Sequence, residues 1–524
     1  MRIQNLSSVV IVTLLAITCD AKSRDSNQPT IKRSFTLTPG YMERTFNSNE
    51  TMKHGPLCFM QLTSKGMDAL MDLSDNPWVK GGVFAAFAFP HYLVSETSST
   101  VYHEFGHARA MASNGTPYRY SAAIKENLFT DYAYGIFAQK ILNPSALFDG
   151  AYTQSMGQDN YTKLPKPFLK RVIGSAPKQL SKTLNTWWKS PAGVDETNLS
   201  PIEKWILSKF KNYHDIPTLA SAPIVSDYTS EEEVQAVVDK LHSGTILSAK
   251  ENLIRNLIES EFDLPMITAG LNNEMRFAQE ISEIIFKHKG HQTYFTPYFI
   301  GKFSSCSYVL WHESQLAAGK VSWGNDIANI LLSYKNRDYS IDASDIKIGS
   351  LASLFLSSTT WSFAYSAITE VPKGSFLVRP PVWHGWRLPD LNFYMTSQGL
   401  SFEVVTGYQF NENWYTGLTA EMVYKGNTAY EFGPSIGYKF NTPSGEFEVS
   451  AQAIIENDME FGGNAGIEWT SPCKDWTVGV KYIYHNALTL VGERNIPFLC
   501  SGFMSGGDPS ATNHEANITV SYNY

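Results

Sequence analysis

The sequence predicts an α+β multidomain chain, in which a mainly helical N-terminal domain precedes a C-terminal antiparallel transmembrane β-barrel of about eight strands. Along residues 386–524 apolar and polar side chains alternate, and a period of two is typical of strands. Upstream, apolar residues recur at helical spacing. We place a signal peptide at 1–21, the helical domain at 22–385 and the barrel at 386–524.

The first residues have the composition of an export signal. Arg2 precedes an apolar stretch at 9–17, and Cys19-Asp20-Ala21 offers a small-residue cleavage site. That stretch is too short to span a bilayer. We expect cleavage after Ala21; the alternative is a lipid attached to Cys19.

Three helices are predicted in the middle of the chain. The first starts at Thr229, with Glu232 in capping-box position, and the second spans 247–258. The third follows Gly270, where apolar residues recur at Leu271, Met275, Ala278, Ile281 and Ile285. The apolar stretch at 81–94 has a length that predicts a buried helix or strand.

A His-Glu-x-x-His motif at 103–107 carries the clearest chemical signal. Positions i and i+4 share one face of a helix, so His103 and His107 can direct two imidazoles at one metal ion. Glu104 lies beside them and can accept a proton from a metal-bound water. The motif therefore predicts a Zn²⁺ site that needs a third protein ligand and keeps water as the fourth.

This motif resembles that of the zincin metallopeptidases. Val101, Phe105, Gly106 and Ala108 fit the uncharged flanks of the family pattern, whereas Arg109 stands at a place that is usually apolar. The resemblance implies a zinc-dependent peptidase in which His103 and His107 bind the metal and Glu104 is the general base.

Three acidic residues are candidates for the third zinc ligand. Glu274 is preferred, because Asn272-Asn273-Glu274 resembles the Asn-Glu pair of gluzincins, the zincins with a glutamate third ligand. Glu126 is the alternative, because its distance from His107 in sequence is a gluzincin spacing. Asp149 is similar to the aspartate motif of intramembrane metallopeptidases, but the membrane helices of such enzymes are not predicted here.

The strands of the C-terminal region have one aromatic-rich face and one polar face. One predicted strand has an aromatic-rich face that consists of Tyr430, Phe432, Ile436, Tyr438 and Phe440. Its opposite face consists of Glu431, Gly433, Ser435, Gly437 and Lys439. Aromatic residues at strand ends are typical of the girdles of membrane barrels. Short turns at 411–413, 441–445 and 471–475 alternate with longer connections, of which the last runs from about 486 to 515.

This pattern resembles the small eight-stranded outer-membrane barrels, and the alternative is a soluble β-sandwich. The resemblance implies short turns in the periplasm, long loops outside the cell and outer-membrane lipid as a partner. Charged side chains are expected to fill and pair across the lumen, which makes the barrel an anchor rather than a pore. They are Glu403, Glu421, Glu431, Lys439, Glu448, Glu468 and Lys481.

Composition narrows the remaining possibilities. The net charge of −8 argues against a nucleic-acid-binding domain. Cleavage after Ala21 leaves Cys58, Cys306, Cys473 and Cys500, which either form two disulfides in an oxidising compartment or stay at least partly free.

Together, these observations predict a zinc-dependent hydrolase anchored in the bacterial outer membrane, with its helical domain in the periplasm. The two resemblances imply an envelope protein or peptide as the substrate. The alternative is a non-catalytic anchor or assembly protein whose His-Glu-x-x-His helix binds no metal.

Overall fold

A computed structural model describes residues 34–37, 40–42, 49–113, 118–124, 148–155, 236–237, 240, 249–319, 325–337, 339–457, 459–486, 489–495 and 512–523. The predicted signal peptide, Glu126 and most of the helix expected after Thr229 lie outside these residues. The described chain has the predicted order, with helices first and a large antiparallel sheet at the C-terminal end.

Eight helices of the described residues are numbered here in chain order. They are α1 (Asn49–Met71), α2 (Pro77–Ser113), α3 (Ala249–His288), α4 (Phe295–Ala317), α5 (Asp326–Asn336), α6 (Ala343–Phe355), α7 (Ser358–Thr369) and α8 (Leu490–Asn495). Short 3-10 turns at Gln292–Tyr294 and Val371–Lys373 connect some of them.

Helix α3 corrects the prediction of two helices separated near Gly270. It is one continuous helix that contains both Pro265 and Gly270. Gly270 lies where α3 meets the two motif histidines, so the glycine serves a close approach between helices rather than a helix end.

The strands form one large sheet and two small ones. In chain order they are β1 (Ser34–Leu37), β2 (Gly40–Met42), β3 (Tyr118–Ile124), β4 (Phe148–Ser155), β5 (Gly290–His291), β6 (Leu377–Val378), β7 (Val382–Trp383), β8 (Trp386–Thr396), β9 (Gly399–Gln409), β10 (Trp414–Gly426), β11 (Tyr430–Thr442), β12 (Gly445–Glu456), β13 (Phe461–Thr470), β14 (Trp476–Asn486) and β15 (Thr512–Asn523). Strands β3 and β4 pair with each other, as do β5 and β6.

The eight strands β8–β15 form the predicted antiparallel meander, each pairing with its neighbour in sequence. The three short turns predicted at 411–413, 441–445 and 471–475 join β9 to β10, β11 to β12 and β13 to β14. The strand count and these turns are therefore confirmed. Part of the last connection, which was expected to be an outer loop, forms helix α8.

Within the described ranges the sheet stays open, so the closed barrel expected from the sequence is not formed by these strands. Strand β15 would have to pair with β8 to close it, but β1 and β2 occupy the free edge of β15. At the other end, helices α3 and α6 pack against β8. Both places where closure would occur are thus covered by other elements.

The two faces of the sheet have the predicted chemistry. On β11, Tyr430, Phe432 and Ile436 are exposed, whereas Glu431 and Gly433 are buried. The same outward apolar pattern recurs along the meander at Leu418, Met422, Val449, Ile467, Val480 and Ile518. The sheet therefore turns its apolar face to the surroundings and its polar face to the interior of the molecule.

The interior face of the sheet is filled by ion pairs and helices. Arg494 of α8 forms salt bridges with Glu421 and Glu403, and Asn392 donates to Glu403 over 2.8 Å. Closer to the surface, Lys439 pairs with Glu448 at 3.1 Å. Charges on this face pair across it, as the sequence predicted.

One hydrophobic core crosses the predicted boundary at 385/386. Leu271 and Met275 of α3 and Ile330 of α5 pack in the same cluster as Phe393 of β8 and Leu400 of β9. The helices and the sheet are therefore built around shared apolar contacts.

The apolar stretch at 81–94 belongs to helix α2, but it is not uniformly buried as predicted. Residues 85–88 are exposed, and an added Cβ at Gly82 would have no neighbour within 4 Å. No element of the described chain covers this surface of α2. None of the described helices is both long enough and apolar enough to cross a membrane.

The cysteines do not form two disulfides. Cys306 is a buried free thiol, and Cys473 is an exposed one. Since two disulfides would require all four of the remaining cysteines, the disulfide alternative is wrong.

Candidate metal centre

The motif lies in helix α2, as the sequence predicts. His103 and His107 are buried on one face of this helix, and their Nε2 atoms lie 3.1 Å apart. Glu104 is half-buried beside them. Two imidazole nitrogens thus converge on one point, which is the arrangement that the i, i+4 spacing implies.

Asp326, the first residue of α5, completes a triangle with the two histidines. Its Oδ2 atom lies 3.2 Å from Nε2 of His103 and 3.4 Å from Nε2 of His107. Ligand atoms about 2.0–2.2 Å from a tetrahedral Zn²⁺ are about 3.3–3.6 Å apart. The three edges of the triangle come within a few tenths of an ångström of that spacing, so this set of residues can hold one metal ion.

Gly270 of α3 leaves a small space beside this triangle. A Cβ atom added to Gly270 would lie 2.4 Å from Nε2 of His103 and 2.4 Å from Nε2 of His107. A Zn–N bond is about 2.0–2.1 Å, so the place of the missing side chain is close to bonding distance from both nitrogens. Any side chain at this position would compete with a metal ion for the same space.

Glu274 reaches the site, but at the opposite edge of the His103 ring from the triangle. Its Oε2 lies 3.2 Å from Nδ1 of His103, and its Oε1 accepts a 2.9 Å hydrogen bond from the hydroxyl of Ser99. A carboxylate that accepts from Nδ1–H holds the ring in the tautomer whose Nε2 lone pair can bind a metal. Asp326 thus lies on the Nε2 side of His103, with the other two members of the triangle, whereas Glu274 lies on the Nδ1 side.

His107 is oriented in an equivalent way by the backbone. Its Nδ1 lies 2.7 Å from the carbonyl oxygen of Met266, which can only accept, so the proton of this bond belongs to Nδ1. The ring of Tyr308 in α4 stacks on the His103 ring, with 5.0 Å between centroids and 8° between planes. Both imidazoles are thus fixed before any metal binds.

Helix α3 passes close to α2 because small residues line the crossing. A Cβ atom at Gly106 would lie 2.3 Å from the carbonyl oxygen of Ala269. Asn273 donates a 2.6 Å hydrogen bond to the carbonyl oxygen of Tyr102. On another side of α3, Asn272 donates to and accepts from the backbone of Met395 in β8, over 2.7 and 3.0 Å. Consecutive residues of α3 thus join the motif helix to the sheet.

The carboxylates control the charge of the histidines. Burial opposes protonation of His103, but Glu274 and then Asp326 raise its pKa well above the usual range. Burial likewise opposes the charge of His107, and Asp326 is the main group that raises its pKa. Burial disfavours the charge of Asp326, but His107 and His103 lower its pKa far below the usual range. The positive charge of the imidazoles and the negative charge of the Asp326 carboxylate thus stabilise each other.

Glu96, two turns before His103 on α2, adds a second buried carboxyl group. Burial, followed by the charge of Glu274, raises the pKa of Glu96 to about 8. Its Oε2 atom has no hydrogen-bond partner among the described residues. The carboxyl group of Glu96 is therefore mostly uncharged at neutral pH, near the Glu274 carboxylate.

For the remaining predicted site residues the structure gives fewer contacts with the triangle. The charge of Glu104 makes a small contribution to the raised pKa of His107, which places Glu104 near the centre. Asp149 lies in β4, and the β3–β4 hairpin contacts α2. Glu126 lies outside the described residues.

Three residues of the centre were not identified from the sequence. Asp326 has the local signature of any helix start, since Asn325 caps α5 by accepting from the N–H of Ala328. Tyr308 and Glu96 have ordinary helical contexts. The one sequence signal near these residues is glycine inside helices, at Gly106 and Gly270, which indicates that the helices pack closely.

Comparison of the chain with protein-family models, with curated proteins and with solved structures finds no match in any of the three. The function is therefore argued from the geometry of the centre itself.

Proposed function

We propose that the chain is a zinc-dependent hydrolase, a metallopeptidase in the first place, held in the outer membrane by its C-terminal sheet. The observation that carries the catalytic part is the triangle of His103, His107 and Asp326, with edges of 3.1 to 3.4 Å around the space left by Gly270. In this proposal Asp326 replaces Glu274 as the third ligand.

Each side chain has a defined task. His103, His107 and Asp326 hold the ion, and a bound Zn²⁺ supplies a Lewis acid and a water of lowered pKa. Glu104 takes the proton of that water. Glu274 and the Met266 carbonyl keep both Nδ1 atoms protonated, so both Nε2 lone pairs point at the ion.

The membrane part rests on the outward face of the sheet. Strands of 10 to 13 residues match the length that a tilted membrane strand needs. Their outward side chains are apolar and exposed, whereas the polar side chains face inward and pair. We propose that β8–β15 contact the hydrocarbon of the outer membrane and keep the metal centre in the periplasm, where envelope proteins or peptides are the substrates.

Zinc content and one substitution test the catalytic part. Metal analysis of the full chain purified without chelators is expected to give one zinc ion per chain. Glu104→Gln should retain the zinc and lose peptide hydrolysis by about 10²-fold or more, because proton transfer is lost while the ligands remain. Glu412→Gln, on an exposed turn of the sheet, is the matched control and should leave both unchanged.

The rival function is a non-catalytic anchor or assembly protein. Protein without stoichiometric zinc and without peptide hydrolysis would favour that rival. A Glu104→Gln variant with full hydrolysis would instead remove Glu104 from the role of general base.

Cell fractionation tests the location. A tag inserted near Ser505, in the last connection, should be reachable from outside intact cells, and the chain should fractionate with outer membranes. A soluble chain would refute the anchor and leave the metal proposal to the zinc analysis.

A further inference from the structure

Helices α6 and α7 form a second apolar surface beside the sheet. Six large apolar residues on these helices and their connection are between 56% and 75% exposed: Ile348, Phe355, Leu356, Trp361, Tyr365 and Ile368. Contiguous exposed apolar surface of this kind marks a contact with a partner or a membrane rather than with water.

After Lys347, near the start of α6, the sequence of this pair is free of charge. Residues 348–369 contain no Asp, Glu, Lys, Arg or His, whereas Lys347 precedes the segment and Glu370 follows it. A surface in contact with water normally carries charged residues at such exposed positions. Hydrocarbon is the surrounding that excludes charge in this way, because a charged side chain inside a bilayer costs about 2.5–3.5 kcal/mol on insertion scales.

Most hydroxyl groups of the same segment have partners inside the molecule, whereas the buried hydroxyl of Thr359 has none among the described residues. Seven of its Ser and Thr side chains donate to backbone carbonyl groups: Ser350, Ser353, Ser357, Ser358, Thr360, Ser362 and Thr369. The exposed indole of Trp361 also donates internally, over 2.8 Å to the carbonyl oxygen of Phe355. Internal satisfaction of polar groups is the requirement that lipid imposes and water does not.

This helical surface continues the outward face of the sheet. The hydroxyl of Ser358 donates over 3.0 Å to the carbonyl oxygen of Leu388, which is itself exposed on β8 next to exposed Trp386. At the other end of α6, Lys425 of β10 forms a salt bridge with Asp345. Helices α6 and α7 thus lie against β8, at the end of the sheet opposite β15.

We propose that α6 and α7 insert their outward faces into the bilayer and form, together with β8–β15, one lipid-contacting surface. The inference rests on the membrane part of the proposed function and adds helices to an anchor that the sequence predicted as strands alone. At 13 and 12 residues, the helices are about 20 and 18 Å long, so they enter the hydrocarbon layer of about 30 Å without crossing it. The occupant of this surface is lipid acyl chain.

Photocrosslinking of the full chain in vesicles of phosphatidylethanolamine and phosphatidylglycerol tests the proposal. The photoreactive residue p-benzoylphenylalanine is introduced separately at Trp361, at Phe432 on the outward face of β11, and at Ser344 in the first turn of α6. Ser344 is the matched control, because it is exposed but lies in the polar capping box of Asp342 and Asp345. Mass spectrometry then identifies the adducts, and zinc content and far-UV circular dichroism report that each variant is folded.

Lipid adducts at Trp361 should reach the yield at Phe432 and exceed that at Ser344 by about fivefold or more, since the polar helix end stays out of the hydrocarbon. If Trp361 does not tolerate the substitution, Phe355 and Tyr365 are equally exposed aromatic positions that give the same readout. Adducts at Phe432 without any at the helices would overturn the inference and leave the sheet anchor intact. Adducts to a second copy of the chain would assign the surface to a dimer and also overturn it. The absence of lipid adducts at every position would overturn both the inference and the membrane anchor, whereas the metal centre would still be judged by its zinc content.

Discussion

In both His103 and His107, the two ring nitrogens have different partners. Each Nε2 points at Asp326, and each Nδ1 is bonded, one to Glu274 and the other to the Met266 carbonyl. Without a metal ion, the 3.1 Å between the two Nε2 atoms is a hydrogen bond only if one nitrogen carries a proton. A metal ion bound here would therefore take the place of protons on the two Nε2 atoms.

Two substitutions separate the third ligand from the positioning residue. Asp326→Asn removes a charged ligand, and we expect zinc affinity to fall by more than about 100-fold. Glu274→Gln keeps an acceptor for Nδ1 of His103, so a loss of about 10- to 100-fold is expected, as for other outer partners of zinc histidines. Competition with a chromogenic chelator measures both affinities. The opposite order would return the ligand position to Glu274.

The pH dependence of stability follows from the shifted pKa values. The pKa values of His103 and His107 are raised above the unfolded value of about 6.5, so protonation stabilises the metal-free chain below that pH. This contribution is lost as the pH rises through the raised values. The lowered pKa of Asp326 contributes stability above its unfolded value of about 3.9, and this is lost as the pH falls through the lowered value.

Zinc should offset the loss of stability that the metal-free chain shows as the pH rises. Because zinc needs the unprotonated imidazoles, the increase in Tm on adding zinc is expected to grow as the pH rises from about 6 to 8. Thermal unfolding with and without zinc at several pH values measures it. His103→Ala should abolish the increase, and an increase that shrinks with rising pH would contradict the proposed ligands.

The motif predicted that the side chains of His103 and His107 meet, because i and i+4 residues share one face of any helix. Asp326 could not be predicted in the same way. It comes from a different helix, and no spacing rule relates its position to that of His107. Glu274, preferred from the sequence as third ligand, does contact His103, because Asn272 and Asn273 hold this part of α3 against its neighbours. The sequence does not indicate which ring nitrogen of His103 the Glu274 carboxylate contacts.

Helix α8 is a short element whose position could not be expected from the predicted outer loop. It turns inward, where Arg494 bonds Glu421 and Glu403 and lies over the ring of Tyr394, 3.8 Å from its centroid. The strands were predictable because a period of two is local. The inward turn of α8 and the open edge of the sheet depend on contacts between distant segments, which periodicity does not encode.

Loss of the cation at position 494 should destabilise the sheet. Arg494→Met keeps much of the stem but leaves two buried carboxylates without their partner, for which we expect about 3–5 kcal/mol of lost unfolding free energy. Lys439→Met removes a more exposed cation, opposite Glu448, and should cost about 1 kcal/mol or less. Urea unfolding of both variants in detergent micelles gives the comparison. Equal effects would show that the buried pairs contribute no more than the exposed one.

In the part of the chain that the structure describes, the C-terminal sheet has an apolar outward face and covers polar groups with its inner face. Helices α3 and α8 occupy the interior face of the sheet, and the shared core of Leu271, Ile330 and Phe393 joins both parts. A pocket of about 90 Å³ on this face is lined by residues such as Arg276, and its volume suits a few water molecules.

Planar bilayers containing the full chain should therefore show no steady conductance. The interior of a small barrel or half-barrel is filled by side chains, and here helices add to the filling. Arg494→Met serves as the comparison, because weakening the contacts of α8 is expected to produce at most brief openings. Stable, reproducible channels from the unmodified chain would contradict the role of a filled anchor.

Helix α3 also restricts how the two parts can move. Within five residues it offers the space at Gly270 to the metal, the side chain of Asn272 to β8 and that of Glu274 to His103. Rotating or sliding the helix by one residue would turn each of these by about 100° and break all three contacts together. Gradual sliding of α3 is thus excluded, and the metal centre and the sheet keep a fixed register. In the proposed function, the metal site and the membrane-contacting sheet would therefore keep a constant distance from each other.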